Sequence, residues 1–207
     1  STQLASLTTT QVGSLTTTQV NLLSSNSLMA LTTTELRALG TSQVTAMTTA
    51  QLNLLTPTSV QALTTTQIGA LTTNQAFNLS TTNLTALSAS QVAAVSTTDL
   101  NSLSSTSLQS LLTTQIAALS TSQVSNLTTT NLNYLTTLQI GALTTTQAVA
   151  LTTTELNAMA LSSTLYQGMT TTAQAALQTS PLLGFYQMTA LQALPTADIA
   201  KLTTSQI

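Results

Sequence analysis

The sequence predicts an all-α repeat protein, a solenoid of very short capped helices with one helix in each eight-residue repeat. Three observations predict it. The chain repeats with a period of eight residues over most of its length. Each repeat carries a hydroxyl side chain and, three residues later, an amide or carboxyl side chain, which is the spacing of a capping box. Each repeat also supplies two large aliphatic side chains at fixed positions.

The period is regular enough to be written in columns. Residues 7–158 form 19 consecutive octads without an insertion, and we number the positions of each octad one to eight from its first leucine. Position one is Leu in 17 octads, position two is Ser or Thr in 17, position five is Gln in 11, and position six is Val, Ile or Leu in 17. The consensus is Leu-Thr-Thr-Thr-Gln-Ile-x-Ala.

The pattern divides the chain into three stretches. Residues 1–158 are predicted to form the regular solenoid. Residues 159–193 form an irregular segment that begins with a two-residue insertion, Met159 and Ala160, and octads resume over residues 194–207. Because the sequence begins and ends inside an octad, we expect it to be part of a longer array.

Helix fits the octad better than strand. In a strand, positions one and six would face opposite sides of a sheet. In one continuous helix, eight residues overshoot two turns by about 80°, so the apolar stripe would spiral around the surface. A helix that restarts in every octad places the position-two hydroxyl and the position-five side chain in a reciprocal cap, and positions one and six in a hydrophobic staple. The predicted cap residues include Thr8, Gln11, Thr64, Gln67, Thr144 and Gln147.

So short a helix is marginal alone, and the octads must therefore stack on one another. We expect two octads in each coil of the solenoid, positions one and six filling the core, and the small Ala of position eight letting layers approach. A β-solenoid with eight-residue rungs is the alternative architecture. A disordered or glycosylated Ser/Thr-rich stalk is the third.

The composition argues against catalysis, metal or cofactor binding, nucleic-acid binding and membrane insertion. The chain has no His and no Cys, two basic and four acidic residues, and a net charge of −2. Without a His base or a thiolate we predict no enzyme, no catalytic residue, no cofactor and no metal site. The absence of a basic surface predicts no nucleic-acid binding. The sequence contains no run of about 18 apolar residues, so we predict no membrane insertion.

The irregular segment holds most of the aromatic side chains. Aromatic residues are enriched at protein interfaces. Tyr166, Phe185 and Tyr186 are therefore the candidate assembly contacts, and the predicted partner is another copy of the chain, end to end or lateral.

Tracts such as residues 143–147, Leu-Thr-Thr-Thr-Gln, resemble octapeptide repeats of very large bacterial surface or secreted proteins, which are adhesin-like. The resemblance implies a cell-surface or extracellular location, as the neutral, hydroxyl-rich composition also suggests. We expect an extracellular fibre or filament built by stacking octads. The alternatives are the stalk of a bacterial adhesin, and an ice-binding or surface-binding array of threonines.

Overall fold

A computed structural model of the chain describes residues 7–152, 155 and 168–178. The chain forms two compact units, Ser1–Ala118 and Leu119–Ile207. Within the described residues the helices are α1 Thr9–Gly13, α2 Thr17–Asn21, α3 Ser25–Met29, α4 Thr33–Ala38, α5 Thr41–Ala46, α6 Thr49–Leu54, α7 Pro57–Ala62, α8 Thr65–Gly69, α9 Thr73–Phe77, α10 Thr81–Ala86, α11 Ala89–Ala94, α12 Thr97–Ser102, α13 Ser105–Ser110, α14 Thr113–Ala118, α15 Thr121–Ser125, α16 Thr129–Tyr134, α17 Thr137–Gly141, α18 Thr145–Val149 and α19 Thr171–Gln178.

Each octad of the described array forms its own helix, as predicted. The helix begins at position three and ends at position seven or eight, and positions one and two are extended where one helix passes to the next. In α8, for example, the cap residue Thr64 has φ −73° and ψ 158°. No residue described by the structure lies in a β-strand. The predicted helical repeat solenoid is confirmed, and the β-solenoid alternative is wrong.

The number of octads in a coil differs from the prediction. In the first unit α1 packs on α4, α2 on α5, and α8 on α11, and the second unit repeats the rule with α15 on α18. A coil therefore contains three octads, with one helix on each of three sides. The expectation of two octads was wrong because equivalent octads reveal the length of the unit but not how many units close one turn.

The core is made by the two aliphatic positions. Position six is the more deeply buried: Leu36, Val44 and Ile68 are 1%, 0% and 2% exposed. Position one lies beside it at the junction of two helices, with Leu39 4% and Leu63 4% exposed. Each octad thus contributes two apolar side chains to its coil, as the repeat pattern predicts, and this burial is the main favourable term in stacking.

An insertion interrupts the register of the second unit. Helices that stack in the regular array begin three whole octads apart, as Thr9 and Thr33 do. In contrast α18 begins at Thr145 and its neighbour α19 at Thr171, a spacing that exceeds three octads by two positions. The difference matches the predicted two-residue insertion, whose own residues lie outside the described part, as do the predicted boundaries at 158 and 193.

Candidate functional site

The glutamine of position five joins consecutive coils. Gln67 Oε1 accepts a hydrogen bond from the backbone N–H of Thr64 at 2.7 Å, while the Thr64 hydroxyl accepts from the Gln67 N–H at 3.1 Å. The other end of the same amide, Nε2, donates to the carbonyl oxygens of Leu36 at 2.8 Å and Leu39 at 2.7 Å. One side chain therefore caps its own helix and binds the end of a helix one coil earlier.

The same contact recurs along the array. Gln51 Nε2 lies within 3.0–3.2 Å of three carbonyl oxygens, those of Val20, Asn21 and Leu23. These acceptors lie 28 to 31 residues earlier in the chain. Five further glutamines donate in this way: Gln43, Gln75, Gln91, Gln115 and Gln147. We call this repeated contact the amide bridge.

The amide bridge buries a polar side chain without leaving it unpaired. Gln67 is 2% exposed and Gln115 is 1% exposed, although glutamine is normally a surface residue. The carbonyls at a helix end have no partner within their own helix. The amide satisfies these acceptors and is satisfied by them, which removes the penalty of burying either group.

The first coil differs from those that follow. Gln11 and Gln19 are exposed, whereas the position-five glutamines of later coils are buried. Their Oε1 atoms still accept from the N–H groups of Thr8 and Thr16, at 2.8 and 2.7 Å. No carbonyl among the described residues accepts from their Nε2 groups. The first coil therefore presents the donor half of two amide bridges.

Where position five is Asn or Asp, the shorter side chain finds other hydrogen-bond partners in the preceding coil. Asn83 Nδ2 reaches only one carbonyl, that of Leu52, at 2.9 Å. Asp99 has no side-chain N–H to donate; instead its Oδ1 accepts from the Thr73 hydroxyl one coil earlier at 2.7 Å, and its Oδ2 accepts from the Ser96 hydroxyl at 2.7 Å. The Asp99 carboxylate is thus paired with donors rather than with carbonyls.

Position seven makes a second contact between coils. Asn53 Nδ2 donates to the carbonyl of Asn78 at 2.8 Å, and Asn53 Oδ1 accepts from the Ser80 N–H at 2.8 Å. Where position seven is Gly69, a Cβ built there would lie 2.8 Å from the carbonyl oxygen of Ala94. Stacked helices therefore touch where a position-seven residue meets a position-eight carbonyl, and glycine allows the closest approach.

The three predicted caps have the expected geometry. Capping boxes join Thr8 to Gln11, Thr64 to Gln67 and Thr144 to Gln147. Sequence reasoning assigned these residues to the cap alone and missed the amide bridge. One signal was available: a capping box accepts Glu as readily as Gln, yet position five is Gln in 11 octads and Glu in two. Only the amide can also donate to carbonyls.

The candidate assembly contacts Tyr166, Phe185 and Tyr186 lie outside the described residues. The threonines of positions three and four, such as Thr65 and Thr66, are exposed on the first turns of helices. The surface-binding alternative needs a flat, regularly spaced array of threonines, which fits a β-solenoid better than a helical one, and no strand occurs in the described ranges.

The described part of the chain has no cluster of metal ligands and contains an apolar cavity in the first unit that bears on stability. Its residues contain no group of three or more His, Cys, Asp or Glu side chains placed to hold a metal ion. A cavity of about 20 Å³ lies in the core of the first unit, lined entirely by aliphatic side chains that include Leu71, Ala76 and Val95. None of the helices in the described ranges is long and apolar enough to cross a bilayer.

Two stretches of the chain match the model of a known repeat family. The family model of the ALTTAQ repeat matches residues 23–57 and 92–129. The chain is similar to the ALTTAQ repeat over these stretches. Both lie within the regular octads, and the letters of the name reproduce positions eight and one to five of our consensus, with a variable position four. No curated protein and no solved structure matches the chain.

Proposed function

We propose that the chain is a non-enzymatic structural protein that self-assembles into an extracellular fibre or filament, with coils of one copy stacking on those of the next. The observation that carries this proposal is the two-sided amide bridge, which makes one face of a coil complementary to the opposite face of another. Gln11 and Gln19 display the donor side of this contact, because their amides are exposed where those of later coils are buried.

The polarity of the amide bridge supports a head-to-tail arrangement. Donors lie on one side of a coil and acceptor carbonyls on the other, so two identical faces do not complement each other. A contact between unlike faces is heterologous and continues into an open filament unless it closes into a ring. The small net charge of −2 leaves little electrostatic repulsion between copies.

Lateral contact has a candidate surface of its own. Met29, Leu54 and Phe77 are 59%, 38% and 50% exposed. They belong to α3, α6 and α9, which stack in consecutive coils of the first unit. These exposed apolar side chains on stacked helices offer a surface that favours association of neighbouring filaments.

Paired substitutions test the end-to-end proposal. Glutamate at positions 11 and 19 retains an oxygen for the cap, as Glu35 shows by accepting from the Thr32 N–H at 2.6 Å. It removes the N–H groups that would bind a second copy. We expect the native chain to form filaments in negative-stain images and fast-sedimenting species in the ultracentrifuge, and Gln11→Glu/Gln19→Glu to shift both toward single chains.

The matched control adds the same charges without removing the amides. Thr10→Glu/Thr18→Glu places carboxylates at the neighbouring exposed position four. It should assemble more than the glutamine variant at the same salt concentration. A native chain that stays monomeric at high concentration, or two variants that assemble equally, would contradict the proposal.

A stalk of a bacterial adhesin is the second candidate. Its support is the predominance of Ser and Thr at the exposed positions three and four of the octads, which suits a spacer. The full-length gene separates the two proposals, since a stalk must be followed or preceded by a domain of ordinary composition that binds the target. If binding to a target surface is retained by a protein from which the octads are deleted, the octads act as a spacer.

A further inference from the structure

Glu155 occupies position five, where most octads have a glutamine that forms the amide bridge, but its carboxylate cannot donate to carbonyls. Glu155 is 4% exposed. Among the described residues, its Oε1 is the one buried side-chain oxygen or nitrogen without a hydrogen-bond partner. The cap is normal: Oε2 accepts from the Thr152 N–H at 2.7 Å, and the Glu155 N–H donates to the Thr152 hydroxyl at 3.3 Å. Oε2 therefore has the role of a glutamine Oε1, and Oε1 takes the place of the amide nitrogen.

The register identifies what faces this oxygen. Position-five glutamines reach the carbonyls 28 and 31 residues earlier, as Gln67 does with Leu39 and Leu36. For Glu155 these carbonyls belong to Leu127 and Val124, which are 5% and 0% exposed and lie in the same unit. The register therefore predicts that three oxygen atoms meet where a glutamine would supply two N–H donors.

Such a cluster of acceptors requires a hydrogen-bond donor or a cation between its oxygens. A buried carboxylate without one is strongly unfavourable, and carbonyls at a helix end add partial negative charge. Glu155 has no cationic side-chain partner among the described residues; the sequence contains only two basic residues, Arg37 and Lys201, and Lys201 lies outside the described ranges. Asp99 shows the alternative, since it lies against hydroxyl donors, but no hydroxyl of the described residues reaches Glu155 Oε1.

We propose that Glu155 Oε1 and the carbonyl oxygens of Val124 and Leu127 bind a hard, oxygen-preferring cation of the Ca²⁺ type. Ca²⁺ takes carboxylate, backbone carbonyl and water oxygens together, which is the ligand set that the register assembles here. A single carboxylate places the affinity at the weak end of protein sites, about 10⁻⁴–10⁻³ M. The ion joins one coil to the next where the amide bridge is missing. Composition alone predicted no metal site, because backbone carbonyls are invisible to it.

The site can be tested by thermal unfolding followed by far-UV circular dichroism. The protein is first treated with a chelator and then melted with CaCl₂ or with choline chloride at equal ionic strength. We expect Ca²⁺ to raise the midpoint of the native chain. Glu155→Gln restores the amide, so it should be more stable than the native chain without Ca²⁺ and should not respond to it. Glu35→Gln, the same change at the other position-five glutamate, should keep the response.

Hydrogen exchange and calorimetry give independent readouts. Ca²⁺ should slow exchange in peptides covering residues 119–155 of the native chain, and calorimetric titration should detect heat of binding that Glu155→Gln lacks. The proposal is overturned if the native chain ignores Ca²⁺, or if Glu155→Gln responds equally.

Discussion

Gln67 Nε2 lies 2.7 Å from the carbonyl oxygen of Leu39, a residue 28 positions earlier in the chain. The bond joins the start of α8 to the junction between α4 and α5, which directly precedes the helix that α8 packs beside. Hydrogen bonds of this kind repeat at almost every coil of the first unit, so polar contacts and aliphatic burial have the same period. Stacking therefore fixes both the spacing and the rotational register of the coils.

Gln67→Glu should destabilise the chain strongly. The carboxylate still caps Thr64, but it places a negative charge against the carbonyls of Leu36 and Leu39. We expect a loss of at least about 2 kcal/mol, the cost of leaving buried polar groups unsatisfied. Thermal and urea unfolding measure it. Thr66→Glu is the matched control, because it adds the same charge at an exposed position of the same helix and leaves the bridge intact; equal losses in the two variants would show that the bridge contributes nothing.

Ala76→Val should stabilise the first unit. Ala76 occupies the aliphatic position six, its neighbour Phe77 points outward at 50% exposure, and a cavity of about 20 Å³ adjoins Ala76. The added methyl groups fill space that is already apolar, which should contribute about 1 kcal/mol. Ala50→Val, at the exposed position four of α6, adds the same atoms in solvent and should give no gain in the thermal midpoint. A lower midpoint for Ala76→Val would mean that the cavity cannot accept them.

Leu112→Thr should also stabilise the folded chain. Leu112 stands at position two, where its N–H donates to Gln115 Oε1 at 2.7 Å but no hydroxyl is present to accept in return. Its side chain is 49% exposed. Threonine completes the capping box and removes an exposed apolar group, for a gain of about 1 kcal/mol in the free energy of unfolding. Leu112→Val, which has the shape of threonine without the hydroxyl, should not reproduce this gain in denaturant titrations.

Gly69→Ala should destabilise the first unit, although alanine favours a helix over glycine by up to about 1 kcal/mol. The new Cβ would lie 2.8 Å from the Ala94 carbonyl oxygen, a backbone atom that cannot rotate away. Separating α8 from α11 weakens the contacts of both coils, and we expect a net loss of about 1–3 kcal/mol. Thermal unfolding of Gly69→Ala beside Thr66→Ala, an exposed site on the same helix, measures the difference. Increased stability of Gly69→Ala would show that the coils are not held this closely.

The local structure could be read from the sequence because its causes are local. Thr64 and Gln67 lie three residues apart in the chain, and Leu63 and Ile68 five, so their pattern reveals the cap and the staple directly. The stacking could not be read in the same way. The contact of Gln67 with Leu36 spans 31 residues, and nearly identical octads give no signal for which earlier octad lies opposite. The position-five preference for Gln over Glu was the one indication that the side chain has a second role.

The most direct test of the three-octad coil is disulfide cross-linking, which the absence of cysteine in the native sequence makes clean. Asn53 and Asn78 touch across consecutive coils, with Nδ2 2.8 Å from the carbonyl oxygen. Ala70 is the equivalent residue for a coil of two octads. We expect Asn53→Cys/Asn78→Cys to oxidise rapidly to an intramolecular disulfide, seen by mass spectrometry and gel mobility, and Asn53→Cys/Ala70→Cys to remain reduced. The reverse result would contradict the three-octad coil and the amide bridge with it.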